Sequence, residues 1–127
     1  MYLLNRLFII VLLLFCIDSV AQKQQYTTAN AHSHNDYEQA FPFHNAWKQG
    51  FGSIEADIFL RAGRLIVAHD SEQLARQWTL DSLYLLPLQL SIQKNAGRVY
   101  PDKNRSLQLT IDIKSEATAT LDKLVET

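Results

Sequence analysis

The sequence predicts an α/β fold, and more narrowly the N-terminal part of a (β/α)₈ TIM barrel. Strand-like and helix-like segments alternate along the chain, which is the order of a parallel α/β sheet. The clearest strands are apolar on one face and polar on the other, whereas strands covered by helices on both faces are continuous apolar runs. Their polar residues concentrate toward the strand ends, where a barrel builds its site.

Residues 1–21 are expected to be a signal peptide. Arg6 supplies a positive charge, residues 7–15 form a short apolar core, and residues 19–21 are a small-residue cleavage site. The apolar run is shorter than the ~20 residues of a membrane-spanning helix. An exported protein, periplasmic or extracellular, with no stable membrane span after cleavage is therefore expected. The single cysteine lies in this segment, so the mature chain is expected to use neither disulfides nor thiol chemistry.

The mature chain is predicted to begin with a polar, flexible lead-in over residues 22–28. Residues 29–127 are assigned to the barrel, which starts with a strand and a helix. A short first strand is expected over residues 29–34. Pro42 fits the first turn of a helix, which Gly50 ends.

The second strand is predicted over residues 53–59, where apolar and polar side chains alternate. Glu55 and Asp57 therefore share one face. Two neighbouring carboxylates in a folded interior repel each other unless a cation or a shared proton offsets their charge. An all-oxygen pair suits a hard cation such as Mg²⁺ or Ca²⁺. The turn at Gly63 folds the chain back as a hairpin that ends at His69.

The rest of the chain is predicted to add helices and one more strand. These elements are a helical turn over residues 74–78, a helix over 87–95, a polar loop over 99–105, a strand over 107–114 and a helix from about 116. The strand alternates strictly, so Asp112 and Lys114 share its polar face. A complete barrel needs about 250 residues, so the 127 residues are expected to be the N-terminal fragment of a longer protein and inactive alone.

Three of the four histidines flank the acid pair. His32 and His34 precede it and lie two residues apart, which places both on one face of an extended segment, and His69 follows it. The group offers a proton acceptor, a proton donor and a metal site within a short piece of chain. An acid pair without such histidines most often lies exposed on a solvent-facing edge strand.

Five segments of this chain match a known superfamily in the same order. They are HSHNDY at 32–37, GFGSIEAD at 50–57, GRLIVAHD at 63–70, LYLLPL at 83–88 and IDIK at 111–114. Together they resemble the phosphatidylinositol-specific phospholipase C-like phosphodiesterases and, within them, the glycerophosphodiester phosphodiesterases. The resemblance is greatest to the branch of altered inheritance of mitochondria protein 6, and it covers roughly residues 30–125.

The resemblance implies a metal-dependent phosphoric diester hydrolase of lipid metabolism, with Mg²⁺ or Ca²⁺ as cofactor. The family's metal ligands correspond to Glu55, Asp57 and Asp112. Lys114 shares a face with Asp112, so it is a candidate contact for the substrate phosphate. Asn35 is a candidate substrate-binding residue or a loop cap. The expected substrate is a small-molecule or lipid phosphodiester.

Two catalytic histidines are implied by the same resemblance. The first is His32 or His34, and the alanine before His32 favours His32; the second is His69. The sequence departs from the glycerophosphodiester pattern because Ser33 and His34 replace an Arg-Gly pair whose arginine contacts phosphate. Glycerophosphodiesters, lysophospholipids, inositol lipids and sphingolipids therefore all remain open as substrates.

Two other functions are compatible with the sequence. A His-x-His pair at the end of a first barrel strand also binds Zn²⁺ in amidohydrolase-type hydrolases, although the acid pair and His69 then have no role. The other alternative is a non-catalytic exported binding module. A formal net charge of −1 gives no reason to expect binding to nucleic acid. The sequence leaves the oligomeric state open.

Overall fold

A computed structural model describes residues 25–127 as a mixed α/β fold with a small sheet. The strands are β1 (His32–Ser33), β2 (Ser53–Arg61), β3 (Arg64–Val67) and β4 (Gln108–Ile113). The helices are α1 (His44–Gln49), α2 (Leu86–Lys94) and α3 (Ala117–Glu126). Short 3₁₀ turns cover Thr28–Asn30, Asp36–Glu38 and Gln73–Arg76, and a π-helical turn over Asp81–Leu85 leads into α2.

The predicted signal peptide over residues 1–21 lies outside the described residues. Within the described range, no helix has the length and apolar character needed to cross a membrane.

Strand β2 is the centre of the sheet. Strand β4 runs parallel to it along one edge, from Ser53 to Ile58 of β2. On the other edge, β1 is parallel to the start of β2, and β3 returns antiparallel beside its end. The three parallel strands are therefore spatial neighbours in chain order, with helices in the connections between them.

The core lies against the apolar face of β2. Ile54, Ala56 and Ile58 on this face are completely buried. Full burial of an isoleucine side chain contributes about 1.5–3 kcal/mol, so this face is a main source of stability. The other buried members of the cluster are Tyr37, Phe43, Ala46, Leu65, Val67, Leu80 and Tyr84.

Strand β1 is shorter than the sequence predicted. The expected strand over residues 29–34 is replaced at its start by the 3₁₀ turn Thr28–Asn30. A reciprocal cap stabilises this turn: the Thr27 side chain accepts a backbone N–H of the turn, and the Thr27 N–H donates to Asn30 Oδ1. Local hydrogen bonds thus compete with extended backbone here, and the strand is limited to His32–Ser33.

Most other predicted elements are found with slightly shifted ends. Ala62 and Gly63 have φ values of 48° and 73°, the positive pair that a two-residue hairpin turn requires. Gly50 ends α1 in the left-handed conformation at φ 72°. The Glu116 carboxylate accepts two backbone N–H groups at the start of α3, and these bonds lower the pKa of Glu116.

The loop over residues 99–105, which was predicted to be polar, packs partly against the interior. Tyr100 is buried, its ring stacks on Trp47 at 6.1 Å between centroids, and its hydroxyl donates to the carbonyl of Phe51 at 2.7 Å. Trp47 in turn donates its indole N–H to the carbonyl of Val99. The loop therefore covers α1, and burial raises the pKa of Tyr100.

We predict that Gly52→Ala destabilises the fold far more than Gly97→Ala. A Cβ at residue 52 would lie 2.0 Å from the carbonyl oxygen of Ala29, a backbone atom that has no rotamer to relieve the contact. Gly97 has open space around it but a φ of 89°, so alanine there costs about 1–2 kcal/mol of left-handed strain. Urea denaturation of both variants measures the difference. Equal losses would mean that the segment around Ala29 moves away from β2 freely.

Candidate metal and acid–base site

Three carboxylates converge on the polar face of the sheet. In the parallel register Asp57 of β2 is the direct partner of Asp112 of β4, and Glu55 lies two residues before Asp57 on the same face. One oxygen of each carboxylate lies within 4.8 Å of the others. The Asp57 side chain is 1% exposed and that of Asp112 is 46% exposed, so the cluster runs from the interior to the surface.

Lys114 offsets part of this negative charge. Its ammonium lies 2.6 Å from Asp112 Oδ2 and 3.1 Å from Asp57 Oδ2. The hydrogen bond to Asp112, followed by the one to Asp57, raises the pKa of Lys114. The lysine is therefore held in its charged form as a counter-ion of both aspartates.

Glu55 faces the histidines of β1 and of the loop that follows it. His32 Nε2 lies 2.8 Å from Glu55 Oε2, and its Nδ1 lies 2.9 Å from the hydroxyl of Ser53. His34 Nε2 lies 3.9 Å from the same Glu55 oxygen, and its side chain is 71% exposed. Both histidines thus approach the carboxylate, but only His32 has both ring nitrogens in hydrogen bonds.

His69 is brought to the cluster by the hairpin. The backbone N–H of Ala68 donates to the carbonyl of Asp57, which aligns the next residue with the Asp57 side chain. His69 Nδ1 lies 3.1 Å from Asp57 Oδ2. An ionised carboxylate only accepts, so we assign the proton to Nδ1. The Nε2 atom then remains available to a bound molecule at this half-exposed side chain.

The residues present fit a hard divalent cation. Asp57 Oδ2 is shared by His69 and Lys114, but Asp57 Oδ1 is buried and has no hydrogen-bond partner within residues 25–127. A buried acceptor without a partner costs about 1–3 kcal/mol. Carboxylate oxygens are the donors that Mg²⁺ and Ca²⁺ select. Among the described residues, the close group of potential metal ligands is Glu55, Asp57 and Asp112.

A second buried carboxylate has a different role. Asp36 is completely buried and accepts hydrogen bonds from the Ser33 hydroxyl, the backbone N–H of Phe43 and the hydroxyl of Tyr84. Phe43 itself has a φ of 62°, so this bond holds a strained backbone in place. Asp36 is therefore a structural cap of the loop that precedes α1.

Two neighbours of Asp36 differ in their relation to the site. Tyr37 is 1% exposed, and its hydroxyl lies 3.4 Å from His69 Nδ1. Burial, followed by the neighbouring Asp57 carboxylate, raises the pKa of the Tyr37 hydroxyl. Asn35 adopts a left-handed backbone at φ 48°, and its side chain makes no capping hydrogen bond to the 3₁₀ turn that follows it. Its role in substrate binding stays a prediction.

The chain is similar to known proteins of one family. The model of the AIM6-like phosphodiesterase domain matches residues 21–127. Altered inheritance of mitochondria protein 6 of Kluyveromyces lactis is 35% identical over 112 residues, which cover 68% of this chain and 27% of that protein. A homolog of the same protein in Arthroderma benhamiae is 34% identical over 103 residues, covering 67% and 33%. The chain spans a third or less of the length of these relatives, and no solved structure matches it.

We predict that the protein loses stability as the pH rises above about 10, the ordinary pKa of tyrosine. Burial, followed by the charge and hydrogen bond of Asp36, raises the pKa of Tyr84 well above that value. Above pH 10 the unfolded chain therefore releases a proton that the folded chain retains, which favours unfolding. Urea denaturation at increasing pH measures the slope.

The Tyr84→Phe variant should show a shallower decline, because phenylalanine has no proton to release. Tyr26→Phe is the matched control, since the Tyr26 side chain is exposed and should leave the slope unchanged. An identical slope in wild type and Tyr84→Phe would contradict the assignment.

Proposed function

Because the chain belongs to the AIM6-like phosphodiesterase domain family, we propose that it carries the acid–base and metal site of a phosphoric diester hydrolase. The observation that carries the proposal is the convergence of Glu55, Asp57 and Asp112 with His32 and His69 on one face of the sheet. The proposed substrates are glycerophosphodiester-like or phospholipid-like molecules, and the proposed setting is outside the cytoplasm.

Glu55, Asp57 and Asp112 are the proposed ligands of Mg²⁺ or Ca²⁺. When bound, such a cation offsets the charge of the phosphate and orients the attacking hydroxyl or water. The buried and unpartnered Oδ1 of Asp57 supports this assignment, because it is an acceptor for which the described chain supplies no donor.

His69 is the proposed general acid. Its Nδ1–H is held by Asp57, which fixes the ring and stabilises the imidazolium form. Its Nε2 then donates a proton to the leaving alkoxide. Tyr37 lies against the same Nδ1 and restricts the ring further.

His32 or His34 is the proposed general base that takes the proton of the nucleophile. His32 is the better positioned of the two, because two hydrogen bonds fix its ring beside Glu55, whereas His34 is largely exposed. Lys114 is proposed to contact the phosphate as a point charge, and Asn35 to contact another part of the substrate.

The described strands are proposed to be the first part of a (β/α)₈ barrel. Three parallel strands adjacent in chain order, with helices between them, support this proposal. The greater length of the relatives is consistent with it, because their remaining residues are available for the other strands. Activity is accordingly proposed for a protein that carries the whole barrel, called the longer protein below.

A zinc hydrolase of the amidohydrolase type is the second candidate, based on the His32-x-His34 pattern. The geometry gives it less support, because no histidine belongs to the close ligand group found among residues 25–127. Metal analysis of the purified protein separates the two: tightly held zinc favours this candidate, and exchangeable Mg²⁺ or Ca²⁺ favours the phosphodiesterase.

A non-catalytic binding module is the third candidate. A binding module would show no turnover even in the longer protein, whereas both enzyme candidates would show turnover there.

We predict that His69→Asn, made in the longer protein, reduces turnover by roughly 100- to 10,000-fold, the usual contribution of a general acid. Asparagine keeps an N–H that can donate to Asp57 but has no counterpart of Nε2. The loss should be larger on a diester with an alkyl leaving group than on bis(p-nitrophenyl) phosphate, since p-nitrophenolate leaves without protonation.

His44→Asn is the matched control, because His44 is exposed on α1 and should retain full activity. His32→Ala is expected to lose more activity than His34→Ala. A His69→Asn variant that hydrolyses both substrates at the wild-type rate would rule out the acid role.

We also predict that Glu55→Gln weakens binding of Mg²⁺ by roughly tenfold or more, about 1.4 kcal/mol, because an amide oxygen has no net charge. Isothermal titration calorimetry on the purified chain measures this without any assay of activity. Glu72→Gln, at an exposed position, should bind Mg²⁺ as the wild type does. Unchanged affinity in Glu55→Gln would place the cation elsewhere.

A further inference from the structure

The acid cluster already contains a cation, and it is part of the chain. The ammonium of Lys114 lies 2.6 Å from Asp112 and 3.1 Å from Asp57, and its side chain is 28% exposed. Two of the three carboxylates proposed as metal ligands thus share one lysine. Each bond joins a charged donor to a charged acceptor, which is about twice as strong as a neutral hydrogen bond.

The third carboxylate is also occupied. Glu55 is 13% exposed and faces His32 at 2.8 Å and His34 at 3.9 Å. Every acid of the cluster is therefore next to a basic group of the chain. Lys114 thus supplies positive charge to the cluster from within the chain.

A divalent cation and Lys114 have overlapping partners. A cation bound to Asp57 and Asp112 would face the ammonium at close range, and like charges in a partly buried site repel strongly. The buried Oδ1 of Asp57 is the one oxygen of that residue that Lys114 and His69 leave unpartnered. The Oδ2 atoms of Asp57 and Asp112, which Lys114 contacts, become fully available to a metal only when the lysine turns away.

We propose that Lys114 is an internal counter-ion that a divalent cation must displace, so that this lysine sets the metal affinity of the site. The inference rests on the proposed metal site and adds a regulatory role for the lysine. Displacement frees the ammonium from the two aspartates, so that it can contact an anionic substrate. Metal binding and the availability of Lys114 for phosphate are then one event.

Lys114→Met tests the proposal, because methionine has a similar length and no charge. Titration calorimetry of the purified chain with Mg²⁺, and separately with Ca²⁺, should show affinity that increases by roughly tenfold over the wild type, equivalent to about 1.4 kcal/mol. A lysine that merely contacts phosphate would leave metal affinity unchanged. Lys114→Arg, which keeps the charge, should bind metal as weakly as the wild type.

Lys123→Met is the matched control for loss of one positive charge. Lys123 lies on α3 and pairs with Glu126 at 3.5 Å. Its replacement should leave metal affinity at the wild-type value. An equal gain in Lys123→Met would show an effect of net charge only and would overturn the proposal.

Thermal unfolding gives a second readout. In EDTA, Lys114→Met should unfold at a lower temperature than the wild type, since two aspartates lose their counter-ion, and addition of Mg²⁺ should raise its melting temperature by more than that of the wild type. If Lys114→Met does not fold, Lys114→Gln, which keeps a hydrogen-bond donor for Asp112, should give the same two trends.

The outcomes separate this inference from the proposed function. Equal metal affinity in wild type and Lys114→Met overturns the counter-ion role and leaves the metal site intact. Absence of binding in both overturns both proposals. Binding that appears only in Lys114→Met supports the counter-ion role and argues against metal-dependent catalysis by the wild-type protein.

Discussion

The site and much of the sheet depend on how the buried charge of Asp57 is compensated. Burial of a carboxylate without a partner costs roughly several kcal/mol of desolvation free energy. Asp57 Oδ2 meets His69 from the hairpin and Lys114 from the end of β4, both at 3.1 Å. One carboxylate therefore connects three segments of the chain, and the residues that neutralise it are those proposed to handle protons and phosphate.

The two fully buried aspartates show how a structural carboxylate differs from one in a functional site. Asp36 accepts from Ser33, Phe43 and Tyr84, so both of its oxygens are satisfied by donors that have no other task. Asp57 shares one oxygen between two exposed or half-exposed basic groups and leaves the other without a partner among residues 25–127. The first arrangement fixes a turn permanently, whereas the second can accept a new cation.

The sequence predicted β2 and β4 because alternation with period two is a local signal. The grouping of Asp112 with Glu55 and Asp57 was implied by the family resemblance instead. It did not predict the shortened β1, because the competing Thr27 cap is a side-chain interaction that leaves the strand pattern unchanged. The hydrogen-bond partners of Asp36 could not be predicted, because Tyr84 lies 48 residues away in the sequence. The contact between Lys114 and Asp57 likewise depends on the register of two strands separated by half of the chain.

The same alternation makes that register important. A slip of β4 by one residue would turn Asp112 and Lys114 to the apolar face, which the hydrophobic core opposes. A slip by two residues would keep every side chain on its own face, so the hydrophobic pattern alone tolerates it. It would, however, move Asp112 and Lys114 about 6.6 Å along the strand, twice the rise per residue, and leave Asp57 without its lysine. Charge pairing at the site therefore selects one register among those that the core accepts. In this protein the candidate site thus helps to specify the fold that positions its own residues.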